Sequence, residues 1–385
     1  MLNLKDRFRQ KDVESEERIA EVFRFENKLA PYTIIDANYW VFGDIPELIP
    51  DDYFDDDPKI MTDIQTEKII RHYDSFPEDS YIGFLMPWFG TGVLASAFGV
   101  DVVFQKKMDP AVAISTVKDV IELDALKTPD YEKSGLMPRV LKQLRYFKEN
   151  CDLPIGVTDC QGPLTTALSI IGYDNFVYWM VDHPDKIHAL MDLVTESLIG
   201  WVKYQKDIIG VSRESAPYII GLKMAEGSGG VWIADDDCCM MGPELYAEFV
   251  KPYNEKVLAA FGGGGIHYCG RATQHIENYM NTAGLTCLHN LHQDDYESVT
   301  QMAKAAKDKG IVFYICDYVP GDDRLDGYYD DLFSGIGQTG LIVSSYIAPS
   351  IALIKGKYEL KNREAHALAK RVDEMIRQKR KLYSI

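Results

Sequence analysis

His267 and Cys269 stand two residues apart in the run Gly262-Gly263-Gly264-Gly265-Ile266-His267-Tyr268-Cys269-Gly270. Side chains alternate along an extended segment, so both project from one face. An imidazole nitrogen and a thiolate are preferred zinc ligands, and this pair supplies half of a tetrahedral site. The same short pattern also fits a buried cysteine beside a histidine bonded to a backbone carbonyl. What else reaches the same place decides between the two.

The elements that must position the pair follow from the apolar pattern. From Tyr81 onward short apolar runs alternate with long helical ones, as in βα units around a parallel sheet. Candidate strands are Tyr81–Met86, Leu153–Thr158, Tyr218–Lys223, Gly230–Ala234, Gly265–Tyr268, Leu285–Leu288, Ile311–Cys316 and Leu341–Ser345, some of them barrel strands and some short accessory pairs. Ile187, Met191, Val194, Leu198, Val202 and Ile208 predict a helix from Pro184 to Ile209. A second helix starts at Pro243, with a bend at Pro252. Asp294-x-x-Glu297 reads as a capping box for a helix that Gly310 ends, and Asn362 as the cap of the last helix. The expected fold is a (β/α)8 TIM-type barrel over 76–385 with an N-terminal helical arm over 1–75; a doubly wound sheet is the alternative. In the arm, Tyr39-Trp40-Val41-Phe42 is expected to pack onto another element, and Asp55-Asp56-Asp57 to form a loop.

A β/α barrel carries its active site at the C-terminal ends of its strands. The polar residues found there are Asp159-Cys160-Gln161-Gly162, Asp235-Asp236-Asp237-Cys238-Cys239, His267-x-Cys269, His289-Asn290, Cys316-Asp317 and Ser344-Ser345-Tyr346. Metal-capable groups thus converge on one rim. Cys316, ending a strand, is the candidate for a further ligand, with an acidic residue, Glu226 or Asp235, as its rival and as a catalytic candidate. Each has an ordinary reading beside it. The aspartates fit a solvated loop and a helix cap, Cys238 and Cys239 are too close to share one ion, Cys287 fits the core, and His289 fits a hydrogen-bonding role. Gly90-Thr91-Gly92 has no phosphate-loop lysine and reads as a turn beside an aromatic wall.

Composition bounds the partners. With 41 basic against 59 acidic residues the net charge is −18, which repels nucleic acid. The basic cluster Arg377, Lys379, Arg380 and Lys381 suits a helix C-terminus. No apolar run reaches bilayer length, and the charged start does not read as a signal peptide. Seven cysteines spread along a 385-residue chain point to reduced thiols and a cytoplasmic protein.

Gly162-Pro163-Leu164-Thr165 resembles the G-P-x-T segment of the uroporphyrinogen decarboxylase superfamily. Gly229-Gly230-Val231-Trp232-Ile233-Ala234-Asp235, with Met241-Gly242-Pro243-Glu244 and Phe249-Val250-Lys251-Pro252-Tyr253, resembles its next block. Ile266-His267-Tyr268-Cys269-Gly270 is similar to the zinc motif of the corrinoid-dependent methyltransferase branch. The resemblance runs from about residue 80 to the end and implies a β/α barrel, Zn2+, and a corrinoid (cobalamin) supplied by a partner protein.

Two departures shape the expected reaction. The arginine-rich motif by which the decarboxylases hold tetrapyrrole side chains has no counterpart around Asn27–Gly43. The thiol-methylating branch carries a second cysteine after the last strand, where this chain reads Ser344-Ser345-Tyr346-Ile347-Ala348-Pro349. A zinc with one thiolate fewer is more electrophilic and suits polarising an ether or alcohol oxygen. The expectation is therefore an O-demethylating methyltransferase acting between a small-molecule donor, such as a methoxylated aromatic, and a corrinoid protein. Tyr346 is expected near the substrate, and Trp88, Asn290 and Tyr318 against it. A homodimer is the expected assembly. The alternatives are a decarboxylase or lyase of the same superfamily, a corrinoid-to-thiol methyltransferase, and a non-catalytic corrinoid-binding partner.

Overall fold

The computed structural model describes residues 3–35, 52–105, 109–113, 117–292, 296–318, 322–347 and 362–384. Six strands run parallel: β1 (Tyr32–Ile35), β2 (Val231–Ala234), β3 (Gly264–Cys269), β4 (Leu285–His292), β5 (Val312–Tyr318) and β6 (Leu341–Tyr346), in the spatial order β1-β6-β5-β4-β3-β2. Two extended segments complete the ring between β2 and β1. Parallel bridges join Gln161 to Ala234 and Ile155 to Leu85, and the Ser80 amide donates to the Tyr32 carbonyl at 2.7 Å. The ring has eight positions in chain order, and the fold is a (β/α)8 TIM-type barrel.

Helices follow the strand positions: α1 (Leu4–Phe23) leads in, then come α2 (Pro58–Ser75), α3 (Met137–Asn150), α4 (Pro163–Ile171), α5 (Tyr173–Asp182), α6 (Pro184–Ile209), α7 (Pro243–Phe249), α8 (Lys251–Ala259), α9 (Ile276–Met280), α10 (Tyr296–Asp308), α11 (Asp322–Ile336) and α12 (Asn362–Leu382). The Pro184 helix ends where expected, its last carbonyls turned by Gly210 at φ +91°. The Pro243 helix breaks at Val250 because Pro252 cannot donate within a helix but tolerates the first turn of a new one. Asp57 caps α2 by accepting from the Lys59 amide, so the acidic loop before it ends in a helix start. The expected cap at Asp294 and the aromatic run 39–42 lie outside the described residues. No helix among the described residues is long and apolar enough to cross a membrane.

One expectation about strands changes, and one candidate falls into the accessory class. Tyr32–Ile35, read within the helical arm, is a barrel strand paired with β6. All four of its residues are buried, so no polar alternation marks it in the sequence. Tyr218–Lys223 is instead the accessory pair: a two-stranded hairpin turned at Ile220 (φ +38°) and Gly221 (φ +72°). Its Ile219 and Leu222, with Met224, pack against Ile19, Val22, Cys287, Val312, Tyr314 and Ile342. Ile19 and Val22 belong to α1 and the other partners lie toward the starts of β4, β5 and β6, so the hairpin, covered by α1, plugs the N-terminal end of the barrel.

Strand alternation divides the wall. Ile233, Ile266, Leu288, Phe313, Ile315 and Val343 belong to the cluster shared with the surrounding helices. Trp232, His289 and Tyr314 face the other way, ring against ring: Trp232 and His289 centroids are 5.3 Å apart, His289 and Tyr314 4.4 Å. Gly265 makes room for this layer, since a Cβ there would lie 2.2 Å from the Trp232 ring. Gly229 and Gly263, at φ +104° and +111°, bring the starts of β2 and β3 so close that a Cβ at Gly229 would lie 1.9 Å from the Gly263 carbonyl carbon.

The join between β1 and the segment after α2 is electrostatic. Buried Asp79 accepts from Lys11 Nζ at 2.9 Å, from the Ile34 and Tyr81 amides at 3.3 and 3.1 Å, and from Thr33 Oγ1 at 3.2 Å. His72 Nε2 lies 2.8 Å from the same carboxylate. Burial pushes Asp79 up, but His72 and Lys11 outweigh it and hold the carboxyl at about 2.

Candidate metal centre

β3 carries His267 and Cys269 to the C-terminal rim on the interior face. His267 Nε2 lies 3.3 Å from Cys269 Sγ and 3.1 Å from Asp236 Oδ1. The three ligand atoms all lie within 4.8 Å of one another. Asp236 arrives from the short helical turn Asp236–Met240 that follows β2. Burial alone would raise its carboxyl, but hydrogen bonding and charge from His267 hold it below the usual range. Burial pushes the Cys269 thiol up, and the Asp236 carboxylate pushes it further. A nitrogen, a sulfur and a carboxylate oxygen make a donor set that zinc accepts, and three protein ligands are what a catalytic zinc uses when it keeps a position for substrate. The residues present fit the ion.

The expected site residues divide in position. Asp235 N–H donates to the His267 carbonyl at 2.7 Å, but its carboxylate points to the helices. It accepts from Tyr246 Oη, from Asn254 Nδ2 at 3.2 Å and from Tyr279 Oη at 3.3 Å. Burial pushes it up to about 7. Glu226 lies beside the plug hairpin, paired with Lys223 at 2.9 Å and accepting from the Ala216 amide at 3.2 Å. Neither expected acid joins the cluster; Asp236, one residue on, does. Cys316 is buried in β5 at the same level as Cys269, but Leu291 stands between them in the register. It is not among the three clustered ligand atoms.

Asn290 is buried on the outer face, where Nδ2 donates to the Gly270 carbonyl at 2.9 Å and holds the turn after β3. Trp88 follows the Leu85 segment, its Nε1 donating to Asp109 at 2.7 Å, and lines a cavity with Tyr53, Phe84 and Met86. Tyr346 ends β6, half-buried, with Tyr318 of β5 and Ile35 of β1 opposite it in the register.

From the sequence, Asp159 has no assigned role, and His289 only a hydrogen-bonding one. Asp159 accepts from Gln161 Nε2 at 2.7 Å. Burial first, and then the charge of Asp236, push it up to about 6. His289 is buried in β4 with Nδ1 2.6 Å from His267 Nδ1. Strand parity was the available signal: Asp236 has the parity of Trp232 and Ala234, and His289 that of Cys287 in the plug cluster.

Residues 55–209 match the uroporphyrinogen decarboxylase (URO-D) family. The matched stretch runs from the acidic loop before α2 through α6 and is what the chain shares with that family. A curated relative, the methylated-thiol–coenzyme M methyltransferase of Methanosarcina mazei, is 25% identical over 209 residues, 52% of this chain and 50% of the relative. The match therefore spans about half the length of that protein. A solved structure described as a methyltransferase from Methanosarcina mazei superposes with a TM-score of 0.65 at 16% identity, covering 93% of this chain and 98% of the other. That likeness carries the fold. The chain is thus similar to a methyltransferase over about half its length and to another in fold, and its rim cluster lies outside the residues that the URO-D match covers.

Proposed function

We propose that this protein is a zinc-dependent methyltransferase that moves a methyl group between an oxygen-bound donor, such as a methoxylated aromatic, and a corrinoid carried by a partner protein. The observation that carries the reading is the convergence of Asp236 Oδ1, His267 Nε2 and Cys269 Sγ within 4.8 Å at the catalytic end of the barrel. These residues would hold the ion, with Cys316 as the rival ligand. When bound, zinc supplies Lewis acidity that stabilises negative charge on a donor oxygen. A set with one thiolate and one carboxylate leaves more of that acidity than a set with two thiolates.

The chain's own groups supply the rest. Asp159, pushed up to about 6, carries its proton below that pH and would there give it to an oxygen leaving the methyl group, while at neutrality most of it is ionised. Tyr346 and Tyr318 would flank the substrate from β6 and β5, and Trp88 would extend the aromatic wall. Asp235 would act by anchoring the Asp236 turn and Asn290 by holding Gly270. All seven cysteines are unpaired, in keeping with a cytoplasmic enzyme. Assembly as a homodimer belongs to the same proposal.

One observation favours a second reading. The half-length likeness to the methylated-thiol–coenzyme M methyltransferase fits transfer between a corrinoid and a thiol. Purified protein with cob(I)alamin and a panel of methoxylated aromatics should form methylcobalamin faster than methylcobalamin is consumed by a simple thiol. Faster thiol methylation would replace the first reading by the second.

A further inference from the structure

We infer that His289 is a positioning residue for the metal centre: it accepts the Nδ1 proton of His267 and so leaves His267 Nε2, which faces Asp236 and Cys269, available to a bound cation. The inference rests on the metal reading above and assigns a role that the three-atom cluster does not contain.

Two imidazole nitrogens at 2.6 Å must share one hydrogen, one ring donating and the other accepting. His267 Nε2 is the atom near Cys269 Sγ and Asp236 Oδ1, at 3.3 and 3.1 Å. To offer a lone pair to a cation it must carry no proton, which puts the proton of the neutral ring on Nδ1. His289 Nδ1 is then the acceptor, and the His289 proton sits on Nε2, a buried atom without a hydrogen-bond partner among the described residues. A ligand histidine normally donates its second N–H to a carboxylate or a carbonyl, and that partner fixes its tautomer and its plane. Here a neutral ring takes the place, so orientation is gained without added negative charge.

His289 is itself held on both sides. In the register it stands beside His267 on β3 and Tyr314 on β5. Its ring packs 5.3 Å from Trp232 and 4.4 Å from Tyr314, centroid to centroid. Tyr314 is pinned in turn, its Oη 2.5 Å from Ser344 Oγ on β6. Five strands, β2 to β6, thus contribute to the aim of one nitrogen.

Two variants test this. His289→Phe keeps an aromatic ring between Trp232 and Tyr314 but removes the acceptor. His289→Gln keeps an acceptor in its side-chain carbonyl. Zinc affinity is measured by chelator competition, ligand geometry by the visible spectrum of the Co(II)-substituted protein, and folding by thermal melting. The Phe variant should bind zinc about 10- to 100-fold more weakly with a shifted Co(II) spectrum, and the Gln variant should stay within about threefold of wild type with an unshifted spectrum. Unchanged affinity and spectrum in the Phe variant would overturn the inference, as would equal losses in both variants. Wild-type protein that takes up no zinc would overturn the metal reading and this inference with it.

Discussion

Asp235 and Asp236 are consecutive in the chain and serve opposite sides of the barrel wall. Asp235 turns outward and gathers Tyr246, Asn254 and Tyr279 from three helices, while Asp236 turns inward to within 3.1 Å of His267 Nε2. The pair joins the ligand cluster to its frame, because the Asp235 amide also bonds the His267 carbonyl. One residue anchors the turn and the next uses it.

Asp236→Asn and Cys269→Ser should each weaken zinc binding by at least about 100-fold, the upper range for losing a mere supporting partner of a ligand. The melting temperature of the metal-free protein should move by no more than about 2 °C, since neither group is central to the apolar core. Metal content by mass spectrometry and chelator competition measure the first, calorimetry the second. Cys316→Ala should retain zinc stoichiometry; its loss would place Cys316 in the ligand set.

Asp235→Ala should destabilise the fold by about 2–4 kcal/mol, because three buried donors lose their acceptor together. Denaturant unfolding of the metal-free protein reads this directly. A change under about 0.5 kcal/mol, the range of an ordinary surface substitution, would mean that Asp235 is not an anchor.

Asp79 sets an acid limit. Its folded value of about 2 lies below the ordinary 3.8, so its contribution is present above pH 4 and is lost as pH falls from about 4 to 2. The difference corresponds to about 2 kcal/mol. Asp79→Asn should lose that amount near neutrality and show a flatter stability profile between pH 4 and 2. A variant whose acid limb matches wild type would show that another group carries it.

Gly265→Ala should disturb the centre without touching a ligand. Its Cβ would meet the Trp232 ring at 2.2 Å, so either the ring or β3 has to move. Overpacking of this kind costs about 1–3 kcal/mol. Displacement of Trp232, which packs on His289, should shift the Co(II) spectrum as well. Wild-type stability and an unaltered spectrum together would show that the layer is slack.

The barrel was legible in the sequence because its middle and late strands are apolar runs bounded by polar residues, and its long helices keep their period. β1 was not, since Tyr32–Ile35 is buried on both faces and has no alternation to reveal it. That His267 and Cys269 share a face could be read from spacing alone, and the structure places them together with Asp236. The acid beside them is Asp236 and not the neighbouring Asp235 or Glu226: parity with Trp232 and Ala234 pointed inward, and tertiary hydrogen bonds from Tyr246, Asn254 and Tyr279 hold Asp235 outward. Cys316 shows the same limit across strands, because the end of a strand fixes its height on the rim and not its distance around it. His289 needed the neighbouring strand's register before its bond to His267 could be seen.

Among the described residues, the hairpin that plugs the N-terminal end leaves the C-terminal end as the doorway of the barrel. Under the proposed reaction a small methyl donor and a protein-borne corrinoid have to arrive through it, and a docked protein bars whatever has not yet entered. Traffic is then sequential by geometry: the small molecule comes first, the partner closes over it, and the demethylated product waits until the partner leaves.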